Sequence, residues 1–419
     1  MKNNPLQVFK FGGASVRDAK GFSNVADIIR TSHTGRLLVV VSAMSKTTNA
    51  LERVADIIYS GKDPEPEITS LIAYHLGVIQ ELFPATSHLS GVMEKYFNEL
   101  VTSFAPGIHY DAWYDRVVSI GEIVSSEILS QYLVQSGLPA VWADARNYVR
   151  TDDTHREGKV NWPRTEQSMK ALEDILQHSI VVTQGFIGES PAGNTVTLGR
   201  DGSDYSAAIF ASCLCASSVT IWKDVPGVMN ADPRRLPAAI VFDELPFREA
   251  AEMTYYGASV IHPKTIKPLA NRKIPLYVKS FEDPALPGTT IHETVVQQLP
   301  PLIVFKDNQC LISCRATDYT FVNEQQMSAI FNALSELDIH INVMQNSAIS
   351  FSFCIDYRED KVFRLIRRLA ENFEVYYNTG LTLITVKNYD SSTYETYSKR
   401  PGVILEQTSR STIQVLVRN

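Results

Sequence analysis

The chain opens on a short apolar run, Leu6–Phe11, and then a segment, Asp18–Thr31, in which Val25, Ile28 and Ile29 fall on one helical face. This spacing predicts a strand followed by an amphipathic helix. Leu37–Val41 is apolar without interruption between Gly35 and Ser42. Such a run suits a buried parallel strand, because a half-exposed antiparallel strand would alternate. Thr48–Ser60 reads as a second helix, so the start of the chain predicts an α/β domain on a mainly parallel sheet. From about residue 64 to 137 the pattern is helical, and it includes the stretch Ser119–Glu127. Strand-like runs return at Ala140–Trp142, Ile180–Thr183, Thr195–Leu198, Val219–Trp222 and Ile274–Val278. Polar, turn-rich Thr151–Pro163 reads as a loop or short hairpin.

The pattern changes near Gln297–Pro301. Strand Gln309–Arg315, helix Glu324–Leu337, strands Ile341–Met344 and Ser350–Ile355, helix Lys361–Asn372 and strand Val375–Tyr377 follow in a βαββαβ order. That order is ferredoxin-like. A second copy begins at Leu381–Val386, with a short helix around Thr393–Lys399 and a strand at Ser411–Val417. Too little chain remains there for a full module. The expected domains are residues 1–299, 300–380 and a shortened 381–419.

Composition removes some classes of function. A net charge of −7 argues against a nucleic-acid binder, which needs basic patches to neutralise phosphates. No apolar run approaches the ~20 residues of a membrane span. The five cysteines are too few and scattered for a disulfide framework, and Cys213 and Cys215 read as small buried residues of a helix over Ala207–Ala216. The start of the chain carries no secretory signal pattern, so a cytoplasmic protein is expected.

Two segments carry candidate chemistry. Lys10-Phe11-Gly12-Gly13-Ala14-Ser15 and Thr197-Leu198-Gly199-Arg200-Asp201-Gly202-Ser203-Asp204 each follow a strand-like run and open a helix-like one. A helix N-terminus offers unpaired N–H groups and a positive dipole end to an anion, and glycines let phosphate oxygens approach the backbone. A third segment, Trp222-Lys223-Asp224-Val225-Pro226-Gly227-Val228-Met229-Asn230-Ala231-Asp232-Pro233-Arg234, runs from a strand end through a Pro-Gly turn. Such a loop sits where open α/β sheets bind ligands. Each segment has a plainer reading: a structural turn for the third, a helix cap for Ser203 or Asp204, a solvated helix face for Glu122.

Together these motifs resemble the aspartate kinases of the amino-acid-kinase fold, as does Phe242–Pro263 with its Gly257-Ala258-Ser259-Val260-Ile261-His262-Pro263 run. The likeness is collinear over nearly the whole chain, and the C-terminal part resembles a tandem ACT regulatory region. The resemblance implies an αβα sandwich that transfers a phosphoryl group from ATP, with Mg²⁺, to the side-chain carboxylate of L-aspartate. It implies catalytic roles for Lys10, Gly12, Gly13 and Asp204. Thr48, Glu122, Phe186, Arg200 and Ser203 would bind aspartate, with Glu122 on its ammonium and Arg200 on its α-carboxylate. Lys10, Gly12, Gly13, Lys223, Asp224, Met229, Arg234 and Ser259 would bind nucleotide. Gln345, Asn346 and Ser347 match the effector-loop region, for lysine or threonine. No protein-built metal site is expected, and a homodimer is.

The reaction fits the residue types. A carboxylate nucleophile is ionised near neutral pH and needs no base, so the protein must position two anions and stabilise transferring charge. His262 therefore reads as a cap rather than a base. The chain departs from the family pattern at four places: Ala14 for threonine, Asp201 for glycine, Met229 for tyrosine, and Ser259 for a phosphate-contacting lysine. Lys223, where threonine is frequent, offers a compensating cation. Two alternatives stay open: a kinase of this fold acting on another carboxylate, and a weakened amino-acid-binding sensor.

Overall fold

The computed structural model describes residues 4–83, 88–258, 261–296, 298–317 and 321–418. The chain divides into two compact units. The first comprises Met1–Val228, Val241–Ala251 and Val260–Val296, and the second Met229–Ile240, Glu252–Ser259 and Gln297–Asn419. A single cut near residue 300 therefore does not describe the division, because two short segments upstream of it belong with the C-terminal part.

An eight-stranded sheet forms the centre of the first unit. Its order is Ala140–Ala143, Ile180–Gln184, Arg36–Val41, Leu6–Phe11, Ser218–Lys223, Leu276–Ser280, Thr289–His292 and Glu244–Pro246. Every pairing is parallel except that of Leu276–Ser280 with Thr289–His292. The uninterrupted apolar runs are explained by burial on both faces: all residues of Arg36–Val41 after the first are buried. Leu6–Phe11 lies between Arg36–Val41 and Ser218–Lys223, and from these neighbours the sheet grows in opposite directions. A crevice opens at the carboxyl ends of strands at such a switch point. Lys10 and Lys223 stand there, Lys10 in register with Ile221.

One helix among the described residues, Tyr110–Gln135, is long and apolar enough to cross a membrane, but it is the buried core helix of this unit. It packs beneath Thr47–Tyr59 and carries two buried carboxylates, Asp115 and Glu122, seven residues apart. Two turns of helix place them on one face.

The second unit holds a six-stranded sheet in the order Ile341–Asn346, Ser350–Asp356, Leu302–Ala316, Phe373–Lys387, Thr412–Arg418 and Val403–Thr408. Its first four strands, with helices Glu324–Glu336 and Glu359–Leu369, have ferredoxin-like topology. The strands expected separately at Val375–Tyr377 and Leu381–Val386 are one continuous strand. Its second half pairs with residues 302–306, its first half with residues 311–316. The shortened second module thus gains a fourth strand from the chain that precedes the first module. Register shifts between Lys306 and Leu311 mark the change of partner. Val403–Thr408 escapes a reading by periodicity because, of its six residues, only Leu405 is buried. Ala231 belongs to the core cluster of this module, and Leu236 and Ala239 pack against it.

Candidate active site

Lys10 lies one residue before the end of its strand and is only 8% exposed. Its Nζ stands 2.7 Å from Asp204 Oδ1, and Lys223 Nζ stands 3.5 Å from Asp204 Oδ2. Asp204 occupies the first turn of helix Gly202–Cys213 and is 4% exposed. Burial pushes its carboxyl up, but the Lys10 and Lys223 ammoniums outweigh that and hold it below its ordinary value. Asp204 is therefore not a helix cap. The cap position belongs to Asp201, whose side chain makes no capping hydrogen bond.

The two glycine loops are shaped by close approaches. A Cβ on Gly13 would lie 2.5 Å from the Ala43 carbonyl oxygen, and Ser45 N–H donates to the Gly13 carbonyl. The Ala43 N–H in turn donates to Glu122 Oε1 at 3.4 Å. Against the second loop, a Cβ on Gly185, just beyond strand Ile180–Gln184, would meet Ser203 Cβ at 2.5 Å, and one on Gly202 would meet the Phe186 ring at the same distance. Phe186 itself is left-handed, φ +71°, held by Ser206 Oγ on its N–H and by the Leu198 N–H on its carbonyl. Asp201 has φ +54°, the conformation that favours the glycine usual in the resemblance, and aspartate is among the few other residues that adopt it.

Glu122 is 3% exposed, and its Oε2 is buried without a hydrogen-bond partner. Burial pushes its carboxyl up to about 8, against the Ala43 N–H and the Lys10 ammonium, which pull it down. A buried, half-satisfied carboxylate near a lysine is poised for a cationic ligand. Thr48 is half-buried in the first turn of helix Thr47–Tyr59. The structure thus brings together Lys10, Gly12, Gly13, Glu122, Asp204 and Lys223, with Phe186 and Ser203 packed at the second loop.

Other expected residues lie differently. Arg200 has an 83% exposed side chain and, among the described residues, only Asp201, at 3.9 Å, as an ion partner. Asp224 is exposed. Met229 and Arg234 fall in the second unit, where Arg234 grips Asp232 through its Nε and Nη2. Ser259 lies outside the described residues. Gln345, Asn346 and Ser347 are exposed at the end of an edge strand of the second unit and in the turn beyond it. His262 caps helix Pro263–Arg272, its Nδ1 accepting the Lys264 N–H at 3.1 Å. Cys213 is half-buried and Cys215 exposed beyond the helix end, so the expectation that both are buried fails: Cys215, at φ +50°, has already turned out of the helix.

Periodicity and motif reading missed one cluster. Asp115 is fully buried and accepts from Thr197 Oγ1 at 2.6 Å, His155 Nδ1 at 2.8 Å and the Arg156 N–H at 2.9 Å. Its signal in the sequence is a second carboxylate two turns before Glu122 in a largely apolar helix.

Glycine loops and paired lysines at the switch point of a parallel α/β sheet define a site for an anionic, phosphate-bearing substrate. The chain belongs to the amino acid kinase family, whose family model matches residues 5–280. Within that family it groups with the aspartokinases. It is 32% identical over 363 residues to lysine-sensitive aspartokinase 3 of Escherichia coli (strain K12), covering 84% of this chain and 78% of that one. It is 30% identical over 394 residues to the chloroplastic bifunctional aspartokinase/homoserine dehydrogenase 2 of Arabidopsis thaliana, covering 90% of this chain and 43% of that protein. The chain thus spans less than half the length of that bifunctional relative. The crystal structure of E. coli aspartokinase III with aspartate and ADP, in its R-state, superposes with a TM-score of 0.84 at 29% identity, covering 99% of this chain and 96% of that one. The T-state structure with lysine and aspartate gives 0.81 at 28% identity, with the same coverage of both chains.

Proposed function

We propose that this chain is an aspartate kinase, converting L-aspartate and ATP to 4-phospho-L-aspartate and ADP. The observation that carries the residue roles is the Asp204 carboxylate shared by Lys10 and Lys223 at the switch point, with the half-satisfied Glu122 carboxyl close to Lys10. Asp204 fixes two ammoniums that would otherwise repel. Lys10, with the N–H groups of the Gly12–Gly13 loop, stabilises the charge of the transferring phosphoryl group, and Lys223 adds a second cation on the nucleotide side. Glu122 receives the substrate ammonium. Arg200, free to swing inward from solvent, takes the α-carboxylate, while Thr48, Phe186 and Ser203 shape the acceptor pocket. The acceptor carboxylate attacks unaided.

Mg²⁺ enters with ATP as part of the substrate. Among the described residues no cluster of three acidic, histidine or cysteine side chains offers it a protein cage, as is usual for Mg²⁺ held mostly by phosphates. Asp224 completes the nucleotide side in this reading. The C-terminal sheet corresponds to two ACT modules, with lysine or threonine as effector at Gln345, Asn346 and Ser347, in a cytoplasmic homodimer. The test is ADP production from MgATP with L-aspartate, L-glutamate or no acceptor, repeated with Lys10→Ala. Aspartate-dependent turnover that drops at least about a thousandfold in the variant is expected. Binding of aspartate and ATP by the wild-type protein without ADP release would replace the enzyme with a sensor.

A further inference from the structure

Asp115 does not line the pocket, yet it joins the elements that do. Oδ1 accepts the hydroxyl of Thr197, the residue that leads directly into the Leu198–Asp204 loop. Oδ2 accepts from His155 and from the Arg156 N–H, both in the turn between Thr151 and Val160. That turn is bolted to the same strand, since the Gly158 N–H donates to the Thr197 carbonyl at 2.8 Å. It also presses on the loop, because a Cβ on Gly199 would lie 3.2 Å from the Arg156 carbonyl oxygen. Above it, the Arg156 guanidinium covers the Tyr114 ring at 4.1 Å, and the Tyr114 hydroxyl donates to Glu52 at 2.5 Å. Glu52 sits one turn beyond Thr48 on helix Thr47–Tyr59. A single buried carboxylate therefore gathers the helix bearing Glu122, the loop bearing Arg200 that leads into the helix start bearing Ser203 and Asp204, and, through Arg156 and Tyr114, the helix bearing Thr48.

We propose that Asp115 is a positioning residue of the acceptor pocket: it holds the backbone of the second glycine loop at a fixed distance from Glu122, so that the loop from which Arg200 reaches in is already set when the substrate ammonium meets Glu122. This rests on the kinase reading above. The turn Thr151–Val160, which has no place in the chemistry, is on this account the strut that transmits the hold. Three donors converge on one carboxylate with no solvent exposure, and a bound substrate samples misplacement of the loop directly.

In the full chain, Asp115→Asn keeps the shape and the Thr197 acceptor but replaces an accepting oxygen with an NH₂ that cannot accept from His155 or Arg156. The expected result is a KM for aspartate raised about tenfold or more, with KM for MgATP within about twofold of the wild type. Backbone amides of residues 198–204 should exchange hydrogen faster, a readout independent of turnover. Thr197→Val should shift both readouts in the same direction, and Thr197→Ser should restore them; this pair serves if Asp115→Asn does not fold. A fall in kcat with both KM values and the loop exchange unchanged would mean that Asp115 only stabilises the fold, and would overturn the proposal. Absence of aspartate-dependent turnover in the wild type would instead overturn the kinase reading, leaving the exchange of residues 198–204 to decide the strut.

Discussion

Replacing Glu122 with glutamine should make the protein more stable and a worse binder of aspartate. Glu122 is 3% exposed, and its carboxyl stands at about 8 because burial penalises the charged form. The unfolded chain ionises near the ordinary value of 4.5. Below that pH both states hold the proton and the group costs nothing. Between 4.5 and about 8 the unfolded state loses its proton while the folded state keeps it, so wild-type stability falls as pH rises, and it levels off above about 8. At 1.36 kcal/mol per pH unit, the accumulated cost is about 3 kcal/mol at pH 7 and about 5 kcal/mol above pH 8. Glutamine never titrates, keeps the Ala43 N–H contact through its oxygen, and leaves its NH₂ about as poorly partnered as the protonated carboxyl was. Glu122→Gln should therefore melt like the wild type at pH 4 and above it at pH 7, by roughly 6–12 °C at 2–4 °C per kcal/mol for a domain of this size. In the same variant the aspartate ammonium loses its counter-charge, and KM for aspartate should rise at least about tenfold. Binding of aspartate to the wild type at pH 7 should release a proton, up to about one per site, because the ammonium favours the ionised carboxylate; calorimetry in two buffers of different ionisation enthalpy measures it. A variant that melts no higher than the wild type at pH 8, or that keeps the wild-type KM, would refute the reasoning.

Three further outcomes are expected. Arg200→Ala, at a side chain 83% exposed, should leave the melting temperature within about a degree while raising KM for aspartate, measured by calorimetric melting and steady-state kinetics. Gly185→Ala puts a methyl group 2.5 Å from Ser203 Cβ, so it should cost about 1–3 kcal/mol in denaturant unfolding and weaken aspartate more than ATP. Lys10→Ala leaves Asp204, 4% exposed, with Lys223 at 3.5 Å; its carboxyl should rise towards the ordinary range, and the lost turnover should not return at higher pH, since the missing group is a cation and not a base.

The parallel sheet was legible because its strands carry continuous apolar runs, and Lys10 because a glycine loop follows one of them; the loop before Asp204 follows Thr195–Thr197, which pairs antiparallel with Ile187–Glu189 outside that sheet. What local pattern cannot convey is a meeting of distant residues. Lys223 stands at a strand end, yet its partner Asp204 is known only once two strands and a helix are assembled. Asp115 was invisible for a similar reason, as its three donors come from segments 40 and 82 residues away in the chain. In the C-terminal sheet, the two strands expected at Val375–Tyr377 and Leu381–Val386 are one, Phe373–Lys387, whose pairing is irregular beside Gly380 at φ +69°. Arg200 illustrates the reverse case. Its motif is plain in the sequence, but its side chain points to solvent.

The woven C-terminal sheet has a consequence for how the chain is made. Residues 229–240 leave the ribosome well before residues 384–417, which form most of the core cluster that Leu236 and Ala239 pack against. The strand half at 302–306 likewise waits some eighty residues for its partner at 383–387. Loop closures of that length are slow relative to local helix formation, and synthesis delivers about 5–20 residues per second. For several seconds, a nascent chain of this protein carries the apolar side chains of Ala231, Leu236 and Ala239 and an open strand edge with nothing to cover them. That interval, rather than the finished enzyme, is where a chaperone would find its binding site.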